Sequence, residues 1–218
     1  MELTEDVKKA LLKLPAGNIA DNNTYIAHQG VMDSSIKPIN TSVKMIGRAF
    51  TVACFPGDNL ALHQGIYAAQ PGDVLVLDCK GYDQAGHLGD IMTTACKLRG
   101  LAGIVINGSC RDKEDIRASG FPVFSKGVNP SGTVKESLAT LNVEVNIGGV
   151  PVRPGDLIFG DADGVVVIPK EHEDEVIEKA FKKYNREQQI LQELYAGKTT
   201  LEIYGFDRLI YQKNSMHS

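Results

Sequence analysis

The sequence predicts an α/β domain, and three observations carry the prediction. Two short apolar runs, Val74-Leu75-Val76-Leu77 and Gly103-Ile104-Val105-Ile106, flank a helical stretch. Strand, helix and strand within about thirty-five residues is the length of a crossover unit with a parallel pair. Residues 141–169 are β in character throughout, and residues 171–195 read as one long helix. No low-complexity segment or linker divides the 218 residues, so a single domain over 1–218 is expected.

Taken in order, residues 4–14 read as a short amphipathic helix capped by Thr4, with Val7, Leu11 and Leu14 on one stripe. Pro15 and Gly17 end it. Residues 18–39 are polar and irregular, with Asp21, His28 and Asp33 embedded in them. A strand region over 43–55 stops at Pro56-Gly57, after which Asp58 caps a helix over 59–69. That helix exposes Gln64 and buries Leu60, Leu62 and Ile66 or their neighbours. Pro71-Gly72-Asp73 turns into the strand at 74–77. The next helix, 89–99, stops at Gly100, and a shorter one around 113–119 precedes a strand at 122–124. Strands follow at 143–147, 150–152, 157–159 and 165–168, separated by Gly-Gly, Pro-Gly and Asp-Gly turns. Pro154-Gly155-Asp156 repeats the turn chemistry found before Val74. In the last helix Ile177, Ala180, Phe181, Tyr184, Leu191 and Leu194 form an apolar stripe that passes through Glu187 and Gln188. A carboxylate beside a buried stripe is costly unless it is paired or faces a site. Glu187 is therefore either a rim residue with its head in solvent or a site residue.

Composition excludes several function classes. A net charge of −4, no Lys/Arg block, no Trp and 6% aromatics argue against a nucleic-acid surface. The N-terminus is acidic and lacks the basic and apolar regions of a signal peptide. No apolar run approaches the ~18 residues of a membrane span, so a cytoplasmic protein is expected. Cys54, Cys79, Cys96 and Cys110 stand far apart with no C-x-x-C, as reduced core residues do. His28, His63, His87, His172 and His217 lack zinc-ligand spacing, and no G-x-S-x-G elbow is present. Asp161-Ala162-Asp163-Gly164 starts like a calcium loop, but its glycine comes too early and His172 stands where the closing Glu is required. It reads better as a hairpin turn.

Chemistry concentrates in two glycine-broken turns, each after an apolar run: Gly86-His87-Leu88-Gly89-Asp90-Ile91-Met92 and Asn107-Gly108-Ser109-Cys110-Arg111-Asp112. The first leads into a helix, whose free N–H groups at residues 90–92 make an anion site, with Gly89 allowing close approach. Tight turning alone is the competing reading of these glycines. The spacing is not G-x-G-x-x-G, and Asn107 stands where a dinucleotide site needs an acidic residue. Arg111 can grip a carboxylate or enolate oxygen in bidentate fashion. Asp112, with Asp90 near it, can bind a hard divalent cation, Mg2+ or Mn2+. The pocket expected is one for a small carboxylate substrate beside a metal.

The ordered set of Pro71-Gly72-Asp73, Gly89-Asp90-Ile91-Met92, Asn107-Gly108-Ser109-Cys110-Arg111-Asp112, Phe121-Pro122-Val123-Phe124, Gly148-Gly149-Val150 and residues 154–165 resembles the 4-hydroxy-4-methyl-2-oxoglutarate/4-carboxy-4-hydroxy-2-oxoadipate aldolases. That family also contains the RraA-like regulators of ribonuclease E activity, and the resemblance spans about residues 18–201. It implies a three-layer ββα sandwich of the swivelling-domain type. It also implies a homo-oligomer, trimer or hexamer, with active sites between subunits and the helix 171–195 at an interface. The implied activity is that of a class II, metal-dependent pyruvate aldolase that also decarboxylates oxaloacetate. By motif position, the amides of Gly89, Asp90, Ile91 and Met92 would hold the pyruvyl carboxylate. Arg111 would hold the keto and carboxylate oxygens, Asp112 would anchor magnesium, and Asp90 would order water at the cation. Glu187 lies at the place of a glutamate contributed by the neighbouring subunit. The chain departs from many members at Asn107, where they have Asp, and at Cys110, where they have an apolar residue. Neither is an implied ligand, so the differences bear on substrate preference, as does His87 beside the anion loop. The implied reaction is retro-aldol cleavage of a 4-hydroxy-2-oxo acid through a pyruvate enolate. Water ordered by Asp90 and Glu187 would take the C4 hydroxyl proton. The rival expectation is a non-catalytic regulator that binds a ribonuclease through its surface.

Overall fold

The computed structural model describes residues 1–138 and 140–215. The first helix is α1 (Glu5–Leu11), and Thr4 Oγ1 accepts from Val7 N to cap it. Pro15 does not simply end this region, because α2 (Ala16–Ala20) follows at once. Asp161 explains α2, since its Oδ2 accepts from Ala16 N at 2.9 Å across 145 residues of sequence. The stretch read as irregular, residues 18–39, holds the end of that helix and a 3-10 turn at Ala27–Gly30.

Strands β1 (Lys37–Pro38) and β2 (Met45–Ala53) come next, then α3 (Leu60–Ala68) and β3 (Asp73–Asp78). A strand that the sequence does not announce, β4 (Gly86–Leu88), leads directly into α4 (Asp90–Leu98). Strand β5 (Gly103–Cys110), α5 (Lys113–Ser119) and β6 (Val123–Val128) complete the first half. The second half holds β7 (Thr140–Leu141), β8 (Val145–Ile147), β9 (Val150–Val152), β10 (Leu157–Gly160) and β11 (Val165–Ile168). It closes with the long α6 (Glu173–Tyr195), then α7 (Thr200–Tyr204) and α8 (Phe206–Ser215), two helices beyond the expected end of regular structure.

Nine strands make one sheet in the order β1-β6-β5-β3-β2-β10-β11, with β4 beside β5 and β7 beside β2. Neighbours among β2, β3, β5 and β6 run parallel, and β10 and β11 extend the sheet antiparallel. One face packs on α3, α4 and α5 through Val52, Leu62, Ile66, Leu75, Leu77, Cys96, Ile104 and Ile116. The other face packs on the β8–β9 hairpin through Val74, Val76, Val105 and Phe124 against Val145, Ile147, Val150 and Val152. This is the three-layer ββα sandwich. A further helical cover of α1, α2 and α6 buries Ile46, Leu157, Phe159, Val166 and Ile168 on the antiparallel end.

The two Pro-Gly-Asp turns are the same device. In each, Asp N donates to the residue before the proline at 3.1 Å, Gly72 and Gly155 both have φ +88°, and the Asp carboxylate accepts back from that residue's N–H at 2.8 Å. A φ of that sign at the third turn position is what glycine supplies in a type II turn. All four cysteines are free and buried, and burial pushes the Cys96 thiol up to about 12. Among the described residues no helix is long and apolar enough to cross a membrane.

Candidate active site

The site lies beyond the carboxyl ends of the parallel strands, where open α/β sheets place their ligands. The sequence places a turn at residues 107–112, but β5 runs on to Cys110. Gly108 serves close approach, since a Cβ there would lie 2.9 Å from Tyr82 O and 3.1 Å from Cys79 Cβ. The β5–β6 register shifts between Ile106 and Ser109. The chain turns instead at Arg111-Asp112, with Asp112 in the left-handed region at φ +57°, which is rare for a residue with a side chain. Arg111 N donates to Leu88 O at 2.8 Å, so this turn is tied to the strand that precedes α4.

Gly89 stands at the meeting point. A Cβ on it would overlap Asp112 Oδ2 and lie 3.2 Å from Arg111 Nε. Asp112 Oδ2 accepts from Asp90 N at 3.1 Å and sits 3.6 Å from Arg111 Nε. One of the helix-start amides therefore already binds a carboxylate of the chain itself. The amides of Ile91 and Met92 have no protein acceptor among the described residues and stay free for a ligand. Arg111 and Asp112 keep 45% and 40% of their side-chain surface exposed, so both can reach a bound molecule.

These groups line a cavity of about 140 Å³ with Asn59, Gly86, His87, Ile91, Met92, Gly132, Thr133 and Lys135. The structure thus gathers Gly89, Ile91, Met92, Arg111 and Asp112 around one space. It places half-buried Asp90 next to them through its backbone contact with Asp112. Glu187 is elsewhere, half-buried on α6, accepting from Asn18 Nδ2 at 2.7 Å and 3.7 Å from Lys183 Nζ. It lines a separate groove with Tyr184, Leu191, Leu194 and Tyr204. The stripe on α6 also differs in detail: Ile190 is buried and Leu191 is exposed.

His87 is buried, and its tautomer follows from its partners. Nε2 accepts from Gly57 N at 3.1 Å, so the proton lies on Nδ1, 3.4 Å from Ser109 O. Burial holds its pKa below the ordinary histidine value, against the opposing pull of the Ser109 and Ala85 backbone and the Asp58 charge. Lys135, Asn59 and Thr133 were not legible as site residues, because the fold brings them in from other segments. Lys135 makes no ion pair or hydrogen bond with the described residues.

Among the described residues no group of three or more His, Cys, Asp or Glu is placed to hold a metal. Asp112 offers one half-exposed carboxylate, of the kind a hard cation takes while keeping most of its water, and Asp90 is joined to it through the Asp90 backbone N–H.

Sheet order, layer structure and a site at the β4–α4 and β5–α5 junctions define an RraA-like α/β protein. The chain belongs to the RraA-like family (Aldolase/RraA), which matches residues 16–167. It is 45% identical over 152 residues to a Halalkalibacterium halodurans protein named "Putative 4-hydroxy-4-methyl-2-oxoglutarate aldolase", covering 70% of this chain and 72% of that one. A Pseudomonas syringae pv. tomato structure shares the fold at TM-score 0.80 and 26% identity, covering 91% and 92% of the two chains. Streptomyces coelicolor RraAS2, titled an unusual member of the RNase ES inhibitor RraA protein family, matches at TM-score 0.77 and 28% identity, covering 88% and 100%.

Proposed function

We propose that the chain is a divalent-metal-dependent class II pyruvate aldolase. It cleaves a 4-hydroxy-2-oxo acid, of the 4-hydroxy-4-methyl-2-oxoglutarate kind, to pyruvate and a second keto acid, and decarboxylates oxaloacetate at the same site. The observation that carries this reading is the meeting of Arg111, Asp112 and the α4 start across Gly89 in one cavity. The name of the H. halodurans relative supports it.

In this mechanism the amides of Ile91 and Met92 bind the substrate's C1 carboxylate, and Gly89 leaves room for it. The Arg111 guanidinium holds the 2-keto oxygen and stabilises the negative charge that gathers there as the C3–C4 bond breaks. Mg2+ or Mn2+ at Asp112 would supply Lewis-acid polarisation of the keto group. Asp90, with Glu187 of a second copy, orders the water that accepts the C4 hydroxyl proton. Loss of CO2 from oxaloacetate leaves electrons at the same carbon, so Arg111 serves both reactions.

A homo-oligomer, trimer or hexamer, is part of this proposal. Glu187 and Arg111 line different cavities of one chain, and Ile91 at the cavity rim is 81% exposed. The S. coelicolor neighbour favours a second reading, a regulator that binds a ribonuclease. The deciding experiment follows pyruvate release from oxaloacetate and from 4-hydroxy-4-methyl-2-oxoglutarate, with Mg2+ or EDTA. Metal-dependent turnover that disappears in Asp112→Ala is expected. No turnover of either substrate, with no Mg2+ binding by calorimetry, sinks the aldolase and leaves the regulator.

A further inference from the structure

One wall of the cavity, formed by Gly132, Thr133 and Lys135, belongs to residues 129–138, which hold no helix and only one isolated bridge residue. Burial does not fix this strap, since Val134 and Leu138 are 52% and 73% exposed. Hydrogen bonds do. Before Lys135, Asn129 N donates to Cys110 O at 2.8 Å and Gly86 N to Ser131 O at 3.0 Å. Val134 N donates to Gly57 O at 2.9 Å, and Asn59 N to Val134 O at 3.2 Å. After Lys135 the anchor is a side chain: Asp58 Oδ2 accepts from Glu136 N at 2.8 Å and Ser137 N at 2.7 Å.

Asp58 is 2% exposed and makes no ion pair with the described residues. From one residue ahead of the Asn59 N-cap, its Oδ1 accepts at 2.8 Å from the N–H of Leu60, the first residue of α3. The second oxygen is committed entirely to the strap. A buried carboxylate that accepts several amides stays charged without a cation. Lys135 therefore sits between two fixed points, Val134 in its bridge with Asp58 and Glu136 on the Asp58 carboxylate. The cavity then offers two cations, Arg111 and Lys135, against one lining carboxylate, Asp112.

We infer that Asp58 is a positioning residue that holds Lys135 over the cavity, where the Lys135 ammonium selects ligands carrying a second carboxylate. The inference rests on reading the cavity as a 2-oxo acid site and assigns recognition of the second carboxylate to Lys135, with Asp58 as the residue that positions it. A point charge on a flexible stem discriminates by distance, so its value depends on where the backbone holds the stem.

The test is calorimetric binding to the full-length chain of 2-oxoglutarate, with two carboxylates, and 2-oxopentanoate, with one. The variants are Asp58→Asn, Lys135→Met and the double. Asn keeps one acceptor oxygen but turns the other position into a donor facing donors. Either single variant is expected to weaken 2-oxoglutarate about tenfold, the loss of one hydrogen bond to a charged group. Binding of 2-oxopentanoate should change less than about twofold, and the double should be no weaker than either single. Equal weakening of both ligands by Asp58→Asn, multiplying losses in the double, or no loss in Lys135→Met overturns the inference. Should Asp58→Asn not fold, Ser137→Pro removes both Ser137 donors, the amide and the hydroxyl, while keeping Asp58, and the same selective loss is expected. Wild type binding neither ligand overturns the 2-oxo acid reading and this inference with it. Wild type binding both ligands without the selective pattern overturns this inference alone.

Discussion

His87 shows how one buried side chain ties the site together. Its ring accepts from Gly57 N and reaches Ser109 O, joining the loop before α3 to the end of β5. A proton on Nε2 would remove that acceptor and place a charge in a buried position. With its folded pKa below the unfolded value of about 6.5, His87 contributes stability in full above that value. The contribution is lost as pH falls through the lowered folded pKa. In His87→Gln, which cannot charge, the melting temperature is expected to fall less steeply than in wild type between neutral and mildly acidic pH. Asp58 enters at lower pH still. Burial pushes its carboxyl up, but the amides of Leu60, Glu136 and Ser137 outweigh this and hold it below the usual range. Parallel melting curves for wild type and His87→Gln over the upper part of that range would refute the role given to His87. At this scale the sequence displays Gly89, Asp90, Arg111 and Asp112, because turn chemistry beside apolar runs is a local signal. Asn59 and Lys135 carry no such signal, since only the tertiary fold brings them to the cavity.

Among the elements, those with a strong local pattern match closely: α1 with its Thr4 cap, β3, α4, α5 and the β8–β9 hairpin. The misses share a cause. α2 is five residues long and is held by Asp161, a partner far away in sequence. β4 exists because it pairs with β5, and that pairing carries β5 past the glycine that reads as a turn. The start of α6 depends on another long-range contact. Buried Glu173 binds Arg48 of β2 through both carboxylate oxygens and accepts from the Met1 amine at 2.5 Å. Removing one partner of such a pair leaves the other charge poorly compensated. Glu173→Ala is expected to cost about 3 kcal/mol, with Glu173→Gln recovering part of it, read from urea unfolding midpoints. A Glu173→Ala protein as stable as wild type would show that apolar packing of Val176, Ile177 and Ala180 alone seats this helix.

At the scale of the whole molecule, the parallel strands deliver the ends of β4 and β5 to one rim, and the helical layer carries the α4 start to the same place. Gly89, Arg111 and Asp112 thereby meet at one cavity, where the proposed function puts the substrate's carboxylate and keto oxygen. Glu187 faces a different groove of the same chain, so the proposed chemistry requires a second copy to complete it. The sequence could place Glu187 on the helix but not its destination, which in the proposed function depends on packing between chains. Enolate formation is the claim on which aldol cleavage and decarboxylation both stand. Its most direct measurement is exchange of the pyruvate methyl protons in deuterated water with Mg2+, followed by NMR. Wild type is expected to exchange them, and Arg111→Ala and Asp112→Ala to lose that exchange while remaining folded. Wild-type protein that binds pyruvate and Mg2+ but leaves the methyl protons in place would contradict the account.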